Sequence, residues 1–171
     1  MVSEIYFYIG EMMIITSNAY IGFLESDWVI KVYRNDGVFE SYKGWFIEGN
    51  RRIQQLSSVH IPTIKEICPY YIVMSYMGEL LSKENCPTDW EKQANEILDF
   101  LAKNNLCHRD IHLSNLCVKD GVLGIVDFDN CQFFENKENY HVPGIGLWNS
   151  PSGEFDDRYS MFSVFKKLGI I

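Results

Sequence analysis

Residues 107–130, CHRDIHLSNLCVKDGVLGIVDFDN, constrain this 171-residue chain more than any other stretch. Asp110 is followed five positions on by Asn115, and a turn and an apolar strand, residues 122–126, then deliver Asp127. A carboxylate within hydrogen-bond reach of a hydroxyl can orient it and take its proton. An amide oxygen and a second carboxylate are the hard oxygen donors that Mg²⁺ prefers beside phosphate oxygens and water. A lone loop aspartate more often makes a local turn with its own backbone. That reading leaves Asn115 and Asp127 at these offsets unexplained.

In sequence the stretch runs His108-Arg109-Asp110-Ile111, then Asn115, then Asp127-Phe128-Asp129. It resembles the H-R-D-L-x-x-x-N and D-F-G signatures of the protein-kinase-like superfamily. The resemblance implies an α+β fold of two lobes over residues 1–171, a single minimal kinase domain. The strand-rich N-lobe would be residues 1–74, the hinge 75–77, and the shortened, mostly helical C-lobe 78–171. It implies Asp110 as catalytic base, Asn115 and Asp127 as metal ligands, and ATP with Mg²⁺, or Mn²⁺ in its place, as cofactors.

The first half of the chain is read in the same frame. Residues 5–16 are rich in β-branched and aromatic side chains and predict a strand. Ser17-Asn18-Ala19-Tyr20 reads as a turn, and residues 21–24 and Trp28–Tyr33 as two further strands. The resemblance puts Ser17, Asn18 and Ala19 over the phosphates. Lys31, inside V-I-K-V, stands where the superfamily has its V-A-I-K lysine on the α/β-phosphates. The plain alternative is a snorkelling surface lysine.

Residues 39–56 read as a helix in which Glu48 is the preferred partner for Lys31, with Glu40 as second choice. Residues 70–74 read as a strand ending at Met74, which would guard the back of the nucleotide pocket. Ser75, Tyr76 and Met77 would follow as the hinge whose backbone meets the adenine. A helix is predicted from Thr88-Asp89 to residue 103, with Trp90, Ala94, Ile97, Leu98 and Leu101 on one stripe.

Three features depart from the kinase pattern. No G-x-G-x-x-G occurs near the first strands, and D-F-G is D-F-D, with Asp129 in place of glycine. Position 112 is histidine rather than lysine, which is similar to the small-molecule phosphotransferases of the aminoglycoside and choline type; His112 is a candidate for contact with the γ-phosphate. Residues 131–155 would form the activation segment. Residues 155–168 resemble the central C-lobe helix, with Asp157 bonding the H-R-D backbone. The chain ends there, as in minimal kinases of bacterial effector or viral type.

Hydrophobic residues make up 47% of the chain and aromatics 15%, a folded composition. A net charge of −8 argues against nucleic acid as partner. Five cysteines without a C-x-x-C pair suit reduced thiols in a cytoplasm, or in a host cytoplasm for an effector or viral protein. No run is long enough for a membrane span, and Glu4 and Glu11 at the N-terminus do not read as a signal peptide.

Three functions compete: a minimal Ser/Thr protein kinase acting on a protein hydroxyl, a small-molecule kinase, and a catalytically silent kinase-like binding module. The first is preferred, because only about thirty residues separate Met74 from His108, too few for an inserted substrate region beside one helix of usual length. Apolar residues at 155–168 suggest a partner or self-association surface around residues 155–171.

Overall fold

A computed structural model describes residues 13–15, 19–24, 27–34, 37–133 and 156–171, with the side chains of 13–15 and 37–43 left aside. Expectations for residues 5–12, Ser17, Asn18, the Glu40 side chain and the activation segment 134–155 lie outside the described residues. The chain divides into two compact units. Unit 1 is Met1–Leu56 with Pro62–Tyr76, and unit 2 is Ser57–Ile61 with Met77–Ile171.

Unit 1 holds a five-stranded antiparallel sheet: β1 (Met13–Ile15), β2 (Ala19–Phe23), β3 (Trp28–Tyr33), β4 (Ile64–Cys68) and β5 (Tyr71–Ser75), in the order β1-β2-β3-β5-β4. Helix α1 (Gly37–Gln54) joins β3 to β4. β3 is central, and Val29 to Tyr33 are all buried, so both faces of the strand are covered. Alternation separates them. Ile30 and Val32 pack with Val73, Tyr20, Leu24, Trp28 and Tyr71. Val29, Lys31 and Tyr33 take the other face, where Tyr33 stacks on Phe46 of α1 at 5.8 Å. The Asn50 amide of α1 donates to Phe46 O at 2.8 Å and reaches the Tyr33 hydroxyl at 3.5 Å.

β4 was not foreseen. It is an edge strand carrying exposed Lys65 and Glu66 with a bulge between Ile64 and Glu66, the charged, irregular form that edges take to resist further pairing. β5 runs one residue later than expected, because Ser75 N–H donates to Thr63 O at 2.9 Å and extends the ladder.

Unit 2 contains β6 (Glu79–Leu80), α2 (Trp90–Lys103), β7 (Leu106–Cys107), β8 (Leu116–Lys119), β9 (Val122–Ile125), β10 (Gln132–Phe133) and α3 (Asp157–Lys167). β8 and β9 form a hairpin closed by Asp120 and Gly121, both at positive φ (52° and 77°), the two-residue turn that matches strand twist. β6 pairs with the other edge of β8. Gly78, just before it, has φ 96°, and a Cβ there would lie 2.1 Å from Val118 O, so only glycine fits.

The outer edge of β9 is closed by side chains. Gln93 of α2 accepts from Leu123 N–H at 2.7 Å and donates to Gly121 O at 3.0 Å. His60 takes Ile125 N–H on its carbonyl at 2.8 Å, and its Nδ1 donates to Leu123 O at 2.7 Å. Asp89 precedes α2 at the N-cap position without a side-chain cap bond, and its carboxylate instead accepts from the Gln93 amide at 2.7 Å.

The apolar residues of α3 are mostly taken up inside unit 2. Phe165 stacks on Trp90 at 4.1 Å and Phe162 meets it edge-on at 6.0 Å, while Met161 and Val164 are buried. The uncovered patch expected at 155–171 is reduced, among the described residues, to exposed Tyr159 and Ile171. No helix among the described residues is long and apolar enough to cross a membrane.

Replacing Gln93 by the similarly shaped Met leaves the buried Leu123 N–H without its acceptor. An unsatisfied group of this kind costs about 1–3 kcal/mol. Urea unfolding of Gln93→Met should show a lower midpoint with an unchanged slope.

Candidate active site

The loop between β7 and β8 carries Asp110, His112 and Asn115, and β9 ends just before Asp127. The hairpin sets their proximity. Leu116 pairs with Ile125, and one step further Val126 N–H donates to Asn115 O at 2.9 Å. Asp127 therefore leaves the ladder beside Asn115. Its left-handed backbone (φ 67°) turns the chain into a short 3-10 turn, Phe128–Asn130. Aspartate is one of the few non-glycine residues that enter this region at modest cost.

Three anchors hold the loop. The Asp157 carboxylate, at the start of α3, accepts from His108 N–H at 2.6 Å and Arg109 N–H at 2.9 Å, as expected from its position. Asp156 instead caps α3, accepting from Tyr159 N–H at 2.9 Å. The fully buried His108 ring accepts from Asp110 N–H at Nδ1 (3.3 Å), which leaves Nε2–H to donate to Val126 O at 3.0 Å. Phe128 packs edge-on against that ring, centroids 4.7 Å apart.

Asp110 is partly buried. Burial pushes its carboxyl above the usual carboxylate range, and the Asp127 charge adds to this. His112, His108 and the hydrogen bond from Asn130 act in the opposite direction. Asn130 Nδ2 donates to Asp110 Oδ2 at 3.2 Å. Sequence reasoning missed Asn130, because its role depends on a fold-back of twenty residues that no spacing announces.

Asn115 is buried, and its Nδ2 donates to Asp110 O at 2.9 Å and to His112 Nε2 at 3.1 Å. Its Oδ1 makes no hydrogen bond among the described residues. An uncommitted amide oxygen on Asn115 and a carboxylate on Asp127, whose backbones the hairpin brings together, are a donor set that suits Mg²⁺. Among the described residues no group of three or more His, Cys, Asp or Glu side chains comes together as a metal site. Asn115, Asp127, phosphate oxygens and water would complete the shell. His112, a candidate for γ-phosphate contact, has its ring turned to Asn115 and 3.6 Å from Asp110 Oδ1.

The D-F-D departure has a simple accommodation. Asp129 is buried in the 3-10 turn and is not among the residues of positive φ; the left-handed residue is Asp127. Position 129 therefore asks for no glycine.

Unit 1 places Lys31 and Met74 on one face of its sheet. Lys31 is 5% exposed, with Nζ 5.1 Å from the Tyr33 ring centre. Met74 pairs with Val29, two residues before Lys31, and Ala19 pairs with Tyr33, so all three sequence candidates share the face that α1 covers. Glu48 does not join them. It lies on the outer side of α1, 48% exposed, and pairs with Arg52 one turn on at 3.7 Å. Phe46, Ile47, Asn50 and Ile53 take the inward positions of the helix, and Glu48 falls between them on the opposite side. In the hinge, Ser75 N–H is used by Thr63 O and Tyr76 N–H by Asp27 O (2.8 Å), so neither N–H is left to donate to a base. Tyr76 packs edge-on against Phe23 at 5.2 Å.

Residues 73–133 match the phosphotransferase enzyme family, APH, of the protein-kinase-like superfamily. The matched stretch runs from β5 through the Asp110 loop to β10. The match covers less than half of the chain. A comparison with curated proteins found no match.

A carboxyl raised by folding means that the native state binds more protons than the unfolded chain between the two values. Stability then falls as pH rises through that window. Asp110→Asn should therefore raise the melting temperature at pH 7, and the gain should shrink as pH falls toward about 4, the ordinary aspartate value. Thermal melts of both proteins across pH 4–7 check this.

Proposed function

We propose that this protein transfers the γ-phosphoryl group of ATP to a hydroxyl group on a protein substrate. The observation that carries the reading is the single loop holding a raised carboxyl, Asp110, next to an Asn115 whose Oδ1 is uncommitted and an Asp127 at the adjoining strand end. Asp110 orients the acceptor hydroxyl and takes its proton as the new P–O bond forms and the bond to the ADP oxygen breaks. A carboxyl held above its usual range is the stronger base. Asn115 Oδ1 and the Asp127 carboxylate would hold Mg²⁺, which when bound offsets phosphate charge. As part of the proposal, Lys31 keeps the phosphate-contacting role that the superfamily resemblance gives it. Asp129 and Glu48 have no part in this scheme.

A protein acceptor is supported by the short path between β5 and the loop, in which α2 is the single helix beside the two-residue strands β6 and β7. A second reading, transfer to a small-molecule hydroxyl, is favoured by Asp110-Ile111-His112 and by the family match over 73–133. The five cysteines are free thiols, in keeping with a reducing, cytoplasmic setting as part of the proposal.

Incubation with γ-labelled ATP, Mg²⁺ and a cell extract separates the readings. Label on discrete protein bands is expected, and Asp110→Asn and Asp127→Asn should each lower transfer by at least about a hundredfold. Label confined to small molecules supports the second reading. No transfer by the folded wild type overturns both and leaves a binding module.

A further inference from the structure

We propose that His112 is a positioning residue that fixes the Asn115 amide so that its Oδ1 faces the metal. This deepens the phosphotransferase reading and rests on it. Asn115 is 5% exposed, and its Nδ2 lies 2.9 Å from Asp110 O and 3.1 Å from His112 Nε2. A backbone carbonyl only accepts, so the end of the amide that faces it is the NH₂. The second hydrogen meets His112 Nε2, which therefore accepts, with the ring proton on Nδ1.

Both donors are then spent on the protein, and Oδ1 is held at the far end of the same planar group. A half-turn of the amide would set oxygen against the Asp110 carbonyl and against the imidazole lone pair. The ring is well placed to enforce this. Asn115 N–H donates to His112 O at 2.9 Å in the 3-10 turn Leu113–Asn115, so ring and amide belong to one turn of chain. Partners that orient a metal ligand in this way carry about 10–100-fold of metal affinity.

The same nitrogen lies 3.6 Å from Asp110 Oδ1, which defines the rival role: a cationic ring paired with the base. Three variants divide the two. His112→Gln keeps an acceptor without a charge, His112→Lys keeps a charge without an acceptor, and His112→Leu keeps neither. Mn²⁺ binding to each protein with ADP is followed by the electron paramagnetic resonance of free Mn²⁺, and thermal melts confirm folding. The Mg²⁺ concentration for half-maximal transfer gives a second readout.

The wild type and His112→Gln should bind Mn²⁺ alike, with His112→Leu and His112→Lys about 10–100-fold weaker. Wild-type affinity in His112→Lys with loss in His112→Gln establishes the charge role and overturns the proposal, as does any other order among folded variants. A wild type that binds no Mn²⁺ with ADP overturns the phosphotransferase reading itself.

Discussion

One carboxylate organises the candidate site. Asp157, at the first turn of α3, receives the backbone N–H groups of His108 and Arg109 from a loop nearly fifty residues earlier. Arg109 is held at φ 70°, a region that costs an ordinary side chain on the order of 1–3 kcal/mol. Two hydrogen bonds to a charged acceptor offset that strain. Once those two residues are set, the His108 ring lies between Asp110 N–H and Val126 O and joins the loop to the exit of β9. Phe128 closes over the ring. The positions of Asp110 and Asp127 follow from this chain of contacts.

The arrangement is costly by the standards of stability alone. Asp110 is partly buried close to another acid, and its charged form is disfavoured as a result. Its side-chain neighbours there are the Asn130 amide at 3.2 Å and the His112 ring at 3.6 Å. The surrounding structure instead over-determines the loop: a two-residue hairpin turn at Asp120 and Gly121, the side-chain seal of β9 by Gln93 and His60, and the Trp90–Phe165 stack that seats α3. Stability placed in these contacts offsets a destabilised acid, a pattern expected where function sets residue choice.

What was legible in the sequence was the part that chemistry restricts most. Asp110, Asn115 and Asp127 stand at offsets that a metal-assisted transfer requires, and β3 announces itself by a run of β-branched and aromatic residues around Lys31. The Asp157 contact was legible for the same reason of fixed offset. Edge elements were not: β4 carries adjacent charges and a bulge, and β6 has two residues. Glu48 was misjudged because two glycines and mixed polarity obscured which side of α1 faces the sheet. Asn130, Gln93 and His60 act through partners 20 to 63 residues away, and the direction of the His112 ring depends on the turn that carries it.

The central claim is that the Asp110 loop and the Asp127 strand end form a metal-dependent nucleotide phosphate site. Calorimetric titration of the full chain with ATP, in Mg²⁺ and again in EDTA, tests it most directly, with Asp127→Asn as the companion protein. The acidic chain and the charge on ATP leave the metal as the main source of compensating charge at Asn115 and Asp127. Binding should therefore appear in Mg²⁺, be at least about tenfold weaker in EDTA, and weaken in Asp127→Asn in the presence of the ion. Equal affinity with and without the metal, or an Asp127→Asn protein that binds like the wild type, would contradict the account.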